Sequence, residues 1–350
     1  MKSVSPRWQH LLGRSITSPA ALARELGLDP APLAAVCARF PMRINPYYLK
    51  LVREHGAPLF RQAVPDPLEL ADATCFDDPL NEENLSPVPN LVHKYPDRAL
   101  FLVTSRCAMY CRFCTRKRKV GTERMQITRE TIRQGLDYLR RTPTVREVLV
   151  SGGDPLLLDD ETLAAILAEL RRIRSIEIIR LGSRVPCTLP MRVTAQLART
   201  LKKFHPLYLN THFNHPAELT PEAMRACNRL ADAGIPLGNQ TVLLRGVNDE
   251  AATIRDLMYG LLRMRVKPYY LFQGDMTRGT DHFRTPVETG LAIMQSLIGH
   301  CSGMAVPTFA VDAPGGGGKI PLLPDYVQGL GETLTFTNYL GLTCTYHNAA

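Results

Sequence analysis

From about residue 99 onward, apolar runs of strand length return roughly every 30 residues, and no other feature restricts the fold as much. The runs begin at Ala99 (ALFLVT), Glu147 (EVLVS), Glu177 (EIIRL), Tyr208 (YLNTHF), Leu237 (LGNQTVLL) and Val266 (VKPYYLF). Amphipathic helical segments separate them, near residues 129–141, 160–172, 191–203, 221–233 and 249–264. Strands alternating with helices pair in parallel, and right-handed crossovers curl such a sheet toward a barrel. The expected fold is therefore α/β, a partial (β/α)6 TIM-like barrel over residues 91–304. Residues 1–90 lack the rhythm and read as a helical N-terminal region, with short helices at 20–26 and 33–38. Residues 305–350 form a C-terminal segment with one further apolar run at 306–311. Thr220-Pro221 marks one helix start, and Thr285-Pro286-Val287-Glu288 is expected to act as a capping box for a helix reaching about 299.

In barrels of this kind chemistry gathers where strands end. The chemically informative residues fall there: cysteines after the first strand, Gly152-Gly153-Asp154 after the second, His212 ending the fourth, Asp275 after the sixth. Nine cysteines are present, an odd number, and six are scattered. A disulfide framework would be unusual in a chain of 350 residues without a recognisable leader. The first eighteen residues mix Lys2, Arg7, Trp8, His10 and Arg14 with short apolar runs, and no run approaches the roughly 18 apolar residues of a membrane span. A cytoplasmic enzyme is expected. The net charge of +9 suits either nucleic-acid binding or a basic surface with pockets for anionic cofactors. Arg116, Lys117, Arg118 and Lys119 directly follow the cysteines, which favours a role at the site, with neither nucleic acid nor membrane as partner.

Cys107, Cys111 and Cys114 form a C-x3-C-x2-C triad. Thiolates are soft ligands suited to iron–sulfur clusters, and three of them leave one iron of a [4Fe–4S] cluster open. A structural zinc site would need a fourth ligand, and no nearby Cys or His supplies it. An open iron beside the Ser151-Gly152-Gly153-Asp154 loop is the pattern of radical S-adenosylmethionine (SAM) chemistry, in which SAM chelates that iron and reductive cleavage yields an adenosyl radical. The second informative run is Pro314-Gly315-Gly316-Gly317-Gly318-Lys319. It lacks P-loop spacing. A flexible turn bearing a surface lysine is one reading. The other is a lysine reaching the barrel mouth to form a Schiff base, for which pyridoxal 5'-phosphate (PLP) is the usual aldehyde.

Taken together, these residues resemble the lysine 2,3-aminomutase family of radical SAM, PLP-dependent isomerases. The likeness runs from about His93 to Pro324, through His93–Arg98, Cys107–Arg118, Ser151–Pro155, Leu209–Pro216, Pro236–Asp249, Pro268–Asp275, His282–Pro286 and Pro307–Lys319. It implies three cofactors: a [4Fe–4S] cluster on Cys107, Cys111 and Cys114, SAM, and PLP on Lys319. It further implies that Arg98 and Tyr95 contact PLP, that Ser151, Gly152, Gly153, Asp154, His212 and Gln240 lie along SAM, and that Arg116 binds the substrate α-carboxylate. Asp275 and Asp312 would hold a cationic side chain, and His215 is structural. The implied reaction moves the α-amino group of L-lysine to C3, giving β-lysine, with an electron donor such as flavodoxin or ferredoxin. Arginine or a protein-linked lysine would be alternative substrates, and a non-enzymatic cluster-bearing binding module an alternative of another class. Two acidic residues argue against glutamate. The chain departs from the family pattern at Glu250, where some members carry a zinc-ligating cysteine; with only Cys344 and His347 near the end, no intersubunit zinc site is expected, and a homo-oligomer stays an open possibility. Phe272 stands where tyrosine is common, and Gly274 where a bulkier residue is.

Overall fold

The computed structural model describes residues 7–349; residues 1–6, part of the stretch read above as lacking a leader, lie outside it. Five helices come first: α1 (Arg7–Gly13), α2 (Pro19–Leu26), α3 (Pro30–Arg39), α4 (Pro46–His55) and α5 (Ala57–Ala63). One device repeats at three of their starts. Ser18, Asp29 and Asn45 each accept a backbone N–H of the first turn, and a proline occupies the next position, where its missing N–H costs nothing.

The sheet begins with β1 (Leu91–Tyr95), antiparallel to β2 (Arg98–Leu102). The chain then alternates: α6 (Arg129–Arg141), β3 (Glu147–Ser151), α7 (Asp160–Arg171), β4 (Ile178–Gly182), the short α8 (Val185–Thr188), α9 (Ala195–Leu201) and β5 (Leu207–Thr211). It continues with α10 (Pro221–Asp232), β6 (Leu237–Val242), α11 (Ala251–Arg263), β7 (Lys267–Phe272), α12 (Val287–Leu297) and β8 (Thr308–Ala313). Strands β2 to β8 are parallel neighbours in chain order, so the six expected strands form as expected and the run at 306–311 adds β8 beside β7. An antiparallel β9 (Gly318–Pro321) closes the order, and β10 (Val327–Gly329), β11 (Thr333–Thr337) and β12 (Thr343–His347) form a separate small sheet.

Alternation along the strands sets the two faces. Val148 and Val150 of β3, Ile179 and Leu181 of β4, and Leu207 and Leu209 of β5 are fully buried beneath helix residues such as Leu139, Leu163, Leu167 and Leu197. The opposite face carries Leu149, Ser151, Arg180, Gly182 and Asn210, which line a cavity instead of packing a core.

Two local expectations are corrected. The helix expected at 191–203 begins only at Ala195, capped by Thr194, because Arg192 is buried and donates to the Leu156 and Leu158 carbonyls, which holds 190–192 in a tighter turn. The capping box at Thr285 does not form. Helix α12 starts at Val287 with no side-chain cap, and the buried Thr285 hydroxyl has no partner. The Thr220-Pro221 start is as read, with Thr220 Oγ1 accepting from the Ala223 N–H. Among the described residues, no helix is long and apolar enough to cross a membrane.

Candidate active site

The loop after β2 carries the cysteines, and the N-terminal helices hold it in shape. Asn45, fully buried, donates to the Ala108 and Thr188 carbonyls at 3.1 and 2.9 Å. Tyr110 N–H donates to the Arg43 carbonyl and Arg112 N–H to that of Gln62, both at 3.0 Å. Beneath the loop, Glu69 accepts from Arg112 Nε and Lys117 Nζ, each at 2.8 Å, and Lys117 also donates to the Gly279 carbonyl at 2.8 Å. A carboxylate between two cations, all three buried, is tolerable only because every charge is paired.

Cys107, Cys111 and Cys114 are free thiols, partly exposed, on the wall of a cavity of about 570 Å³. Desolvation pushes the Cys107 thiol far above its usual range, with the Asp154 charge and the other two cysteines adding to it; desolvation and Cys111 likewise raise Cys114. Arg184, at the end of β4, points its guanidinium Nη1 at Cys111 Sγ, 2.8 Å away, and pairs with Glu218 at 2.7 Å. Among the described residues, no three His, Cys, Asp or Glu side chains converge around a point that one metal ion could occupy.

The Ser151–Asp154 loop lies against this one. Gly152 has φ +135°, and a Cβ there would collide with the Thr104 carbonyl oxygen; one on Gly153 would collide with the Arg106 backbone. Gly153 N–H donates to Thr104 O at 2.5 Å and Asp154 N–H to Arg106 O at 2.8 Å. The glycines thus serve first to let two loops stitch backbone to backbone, while Ser151, Gly152 and Gly153 still line the cavity. Asp154 does more holding than displaying. Its buried carboxylate accepts from Ser183 Oγ at 2.7 Å and from the N–H groups of Leu156, Arg184 and Val185 at 2.8–3.1 Å. Burial nonetheless pushes its pKa up to about 6.

His212 and Gln240 reach the same cavity from β5 and β6. Desolvation, then the Arg184 charge, pushes His212 down to about 3, so it is neutral, and its Nε2 lies 3.0 Å from Asn214 Oδ1. A register irregularity between Asn239 and Gln240 turns the strand where Gln240 meets the cavity. His215 caps the short turn at 216–218 through Nδ1, a structural role as expected.

Lys319, Asp312 and Asp275 gather on the far wall. Lys319 Nζ stands 2.9 Å from Asp312 Oδ2 and 5.2 Å from the centre of the Phe272 ring. Lys94 reaches the same carboxylate at 3.5 Å. Among the described residues, Asp275 has no such partner. Desolvation, then the charge of Asp312, lifts it to about 7, against the opposing pull of Lys319 and Lys94. Tyr95 Oη accepts from the Lys319 N–H at 3.0 Å, and Arg98 stacks over the Tyr95 ring at 3.9 Å. Arg116 also faces the cavity, its guanidinium gripped by Glu82. A Cβ on Gly274 would sit in ordinary van der Waals contact with Arg284 Cγ at 3.6 Å and the Leu243 carbonyl oxygen at 3.7 Å, so the position admits a methyl group without a clash.

Every residue picked from the sequence therefore borders one cavity. The reading missed Arg184, Glu82 and Lys94. Arg184 follows a strand end and was findable by that rule; Glu82 lies in an irregular stretch with no such signal.

The chain is similar to radical SAM proteins and to lysine 2,3-aminomutases. The model of the radical SAM superfamily matches residues 101–258, and that of the lysine-2,3-aminomutase C-terminal family matches residues 294–350. L-lysine 2,3-aminomutase of Clostridium subterminale is 52% identical over 309 residues, which is 87% of this chain and 74% of that protein. The Methanococcus maripaludis enzyme of the same name is 47% identical over 350 residues, 97% of this chain and 80% of that protein. Glutamate 2,3-aminomutase of Clostridioides difficile is 43% identical over 330 residues, covering 93% and 78%.

Proposed function

We propose that this chain, which belongs to the lysine 2,3-aminomutase family of radical SAM isomerases, moves the α-amino group of L-lysine to C3 and so makes β-lysine. The observation that carries the choice of substrate is the acidic pair at one end of the cavity. Asp312 is held by ammonium groups of the chain itself, and Asp275 sits beside it. A second ammonium from a substrate side chain would replace Lys319 there and favour the ionised form of Asp275. A glutamate side chain would add a third carboxylate to the same wall and be repelled.

The residues present fit the three cofactors. Three cavity thiols suit the cluster, with Arg184 beside Cys111 as a donor to its thiolate. Gly152, Gly153, His212 and Gln240 line the stretch next to them, where SAM would lie. Lys319 offers an amine, and Arg98 a cation on an aromatic platform that suits a phosphate. When bound, the cluster with SAM supplies a carbon radical able to abstract hydrogen, and PLP supplies an aldehyde for the amino group and a ring over which spin can spread.

The chain's own part is placement. Arg116 holds the α-carboxylate, and Asp275 with Asp312 holds the ε-ammonium, so the substrate lies stretched with C3 fixed between them. The Tyr95 hydrogen bond fixes the Lys319 backbone while its Nζ stays free to move between Asp312 and the cofactor. Neutral His212 adds no charge next to the cationic SAM. A cytoplasmic, reducing setting with flavodoxin or ferredoxin as electron donor suits three reduced thiols.

The deciding experiment is anaerobic incubation of reconstituted protein with SAM, reductant, PLP and, separately, lysine, arginine and glutamate. β-Lysine forms from lysine and nothing from glutamate. Conversion of arginine with lysine untouched would defeat the substrate assignment and leave the reaction class standing.

A further inference from the structure

We infer that Glu82 is a positioning residue for the substrate carboxylate, gripping one edge of the Arg116 guanidinium so that its other edge faces the cavity. The inference rests on the reading of Arg116 given under Proposed function.

A guanidinium offers five N–H donors along two usable edges, one from Nε and Nη2, the other from Nη1 and Nη2. Glu82 takes the first. Its Oε2 accepts from Nε at 2.9 Å and its Oε1 from Nη2 at 2.5 Å. Among the described residues nothing accepts from Nη1. The free edge is the one that a second carboxylate can take in bidentate fashion. Both side chains border the cavity, and Glu82 is only 6% exposed.

Glu82 itself is held firmly. It lies in the segment 78–85, whose Asp78 pairs with Arg118 at 3.0 Å and whose Glu83 pairs with Lys119 at 3.1 Å. Ser86 Oγ donates to the Glu82 carbonyl at 2.6 Å. The same segment touches the glycine run before Lys319. Gly315 N–H donates to the Pro79 carbonyl at 2.9 Å, and a Cβ on Gly316 would lie 2.8 Å from Leu85. One strap therefore fixes both the cation meant for the carboxylate and the loop that carries the reactive lysine. It sets the distance between the two attachment points of an α-amino acid.

A competing reading makes Glu82 a rival that the substrate carboxylate must displace from Arg116. The two readings predict opposite signs. Isothermal titration calorimetry of the reconstituted holoenzyme would compare L-lysine with 1,5-diaminopentane, which lacks only the carboxylate. Glu82→Gln is expected to weaken lysine binding about tenfold or more, the scale of a lost hydrogen bond between charged groups. It leaves the diamine unchanged and raises KM for lysine more than it lowers kcat. Glu82→Asp keeps the charge and restores part of the loss; should Glu82→Gln fail to fold, a partial, lysine-only loss in Glu82→Asp carries the test. Lysine affinity that is unchanged or tighter in Glu82→Gln, or equal loss of both ligands, overturns the inference. Arg116→Gln separates the layers. If it keeps the preference for lysine over the diamine, the carboxylate reading itself fails; if it abolishes the preference while Glu82→Gln retains it, only the role of Glu82 fails.

Discussion

Replacing Asp275 by asparagine is expected to stabilise the unloaded protein at alkaline pH and to leave it unchanged in acid. Asp275 sits at the cavity wall just past β7. Desolvation and the neighbouring Asp312 hold its pKa at about 7, where an ordinary aspartate has 3.8. Between those values the native protein keeps a proton that the unfolded chain has released, so stability falls as pH rises. The cost is absent below about pH 4 and complete above about pH 7. It amounts to roughly 4 kcal/mol at most. Asparagine has nearly the shape of the protonated carboxyl and never ionises. The stability gap between variant and wild type should therefore open on going from acid to neutral pH and stay constant above it. At an unfolding entropy of about 2.1 cal/mol/K per residue, a chain of this length would gain roughly 5 °C in Tm at the alkaline limit. Calorimetric melts of both proteins at steps from about pH 5 to about pH 8 read this directly. Parallel curves would mean that Asp275 is already ionised in the native protein, and the account of the acidic pair would be wrong.

Other perturbations probe the remaining parts of the site. Gly152→Ala places a Cβ against the Thr104 carbonyl at φ +135° and should destabilise by about 3 kcal/mol or more and lower iron incorporation, whereas Gly303→Ala, with nothing within 4 Å, should be near neutral; thermal melts and iron assays compare them. Glu69→Gln leaves Arg112 and Lys117 buried with their shared carboxylate gone and should cost about 3–5 kcal/mol, seen as a lower melting temperature and poor cluster loading. Lys319→Ala should abolish β-lysine formation yet permit reductive cleavage of SAM, while Cys111→Ala should abolish both, as product analysis for 5′-deoxyadenosine and β-lysine would report.

Much of this architecture is legible in the amino-acid sequence. The strand runs hold because alternation writes the buried face into the sequence: Val148 and Val150, then Ile179 and Leu181, recur at the period of a pleat. The cysteine triad stands out by its local spacing, whereas Lys319 stands out only through the family resemblance. What stayed hidden depends on distance along the chain. Asn45 reaches Thr188 across 143 residues and Arg116 reaches Glu82 across 34, and no local pattern announces either contact. Asp154 adds a role that its motif does not announce: its carboxylate, at the cavity wall, accepts from four donors and so joins the turns after β3 and β4. At Thr285 the local rule for a capping box lost to tertiary demand, since the Thr285 carbonyl is taken by buried Gln273 and the helix starts one residue late.

The position of Lys319 follows from the sheet not being closed by strand pairing. The order runs from β1 to β9 with both at the edges, and edge strands carry unpaired backbone groups. Here the two edges meet through side chains: Tyr95 of β1 accepts the Lys319 N–H of β9, and Lys94 of β1 reaches Asp312 of β8. A ladder of backbone hydrogen bonds would have sealed the seam and left no room beside it. The Tyr95 phenol and the Lys94–Asp312 pair bridge it, while the Lys319 side chain, paired with Asp312, stays on the cavity side. The glycines make that contact possible, since Gly315, Gly316 and Gly318 all have φ between 71° and 95°, a backbone that side chains with a Cβ rarely adopt. The glycine run, which by itself reads as a loose turn, is what bends β9 back onto the barrel's open edge and sets an amine there.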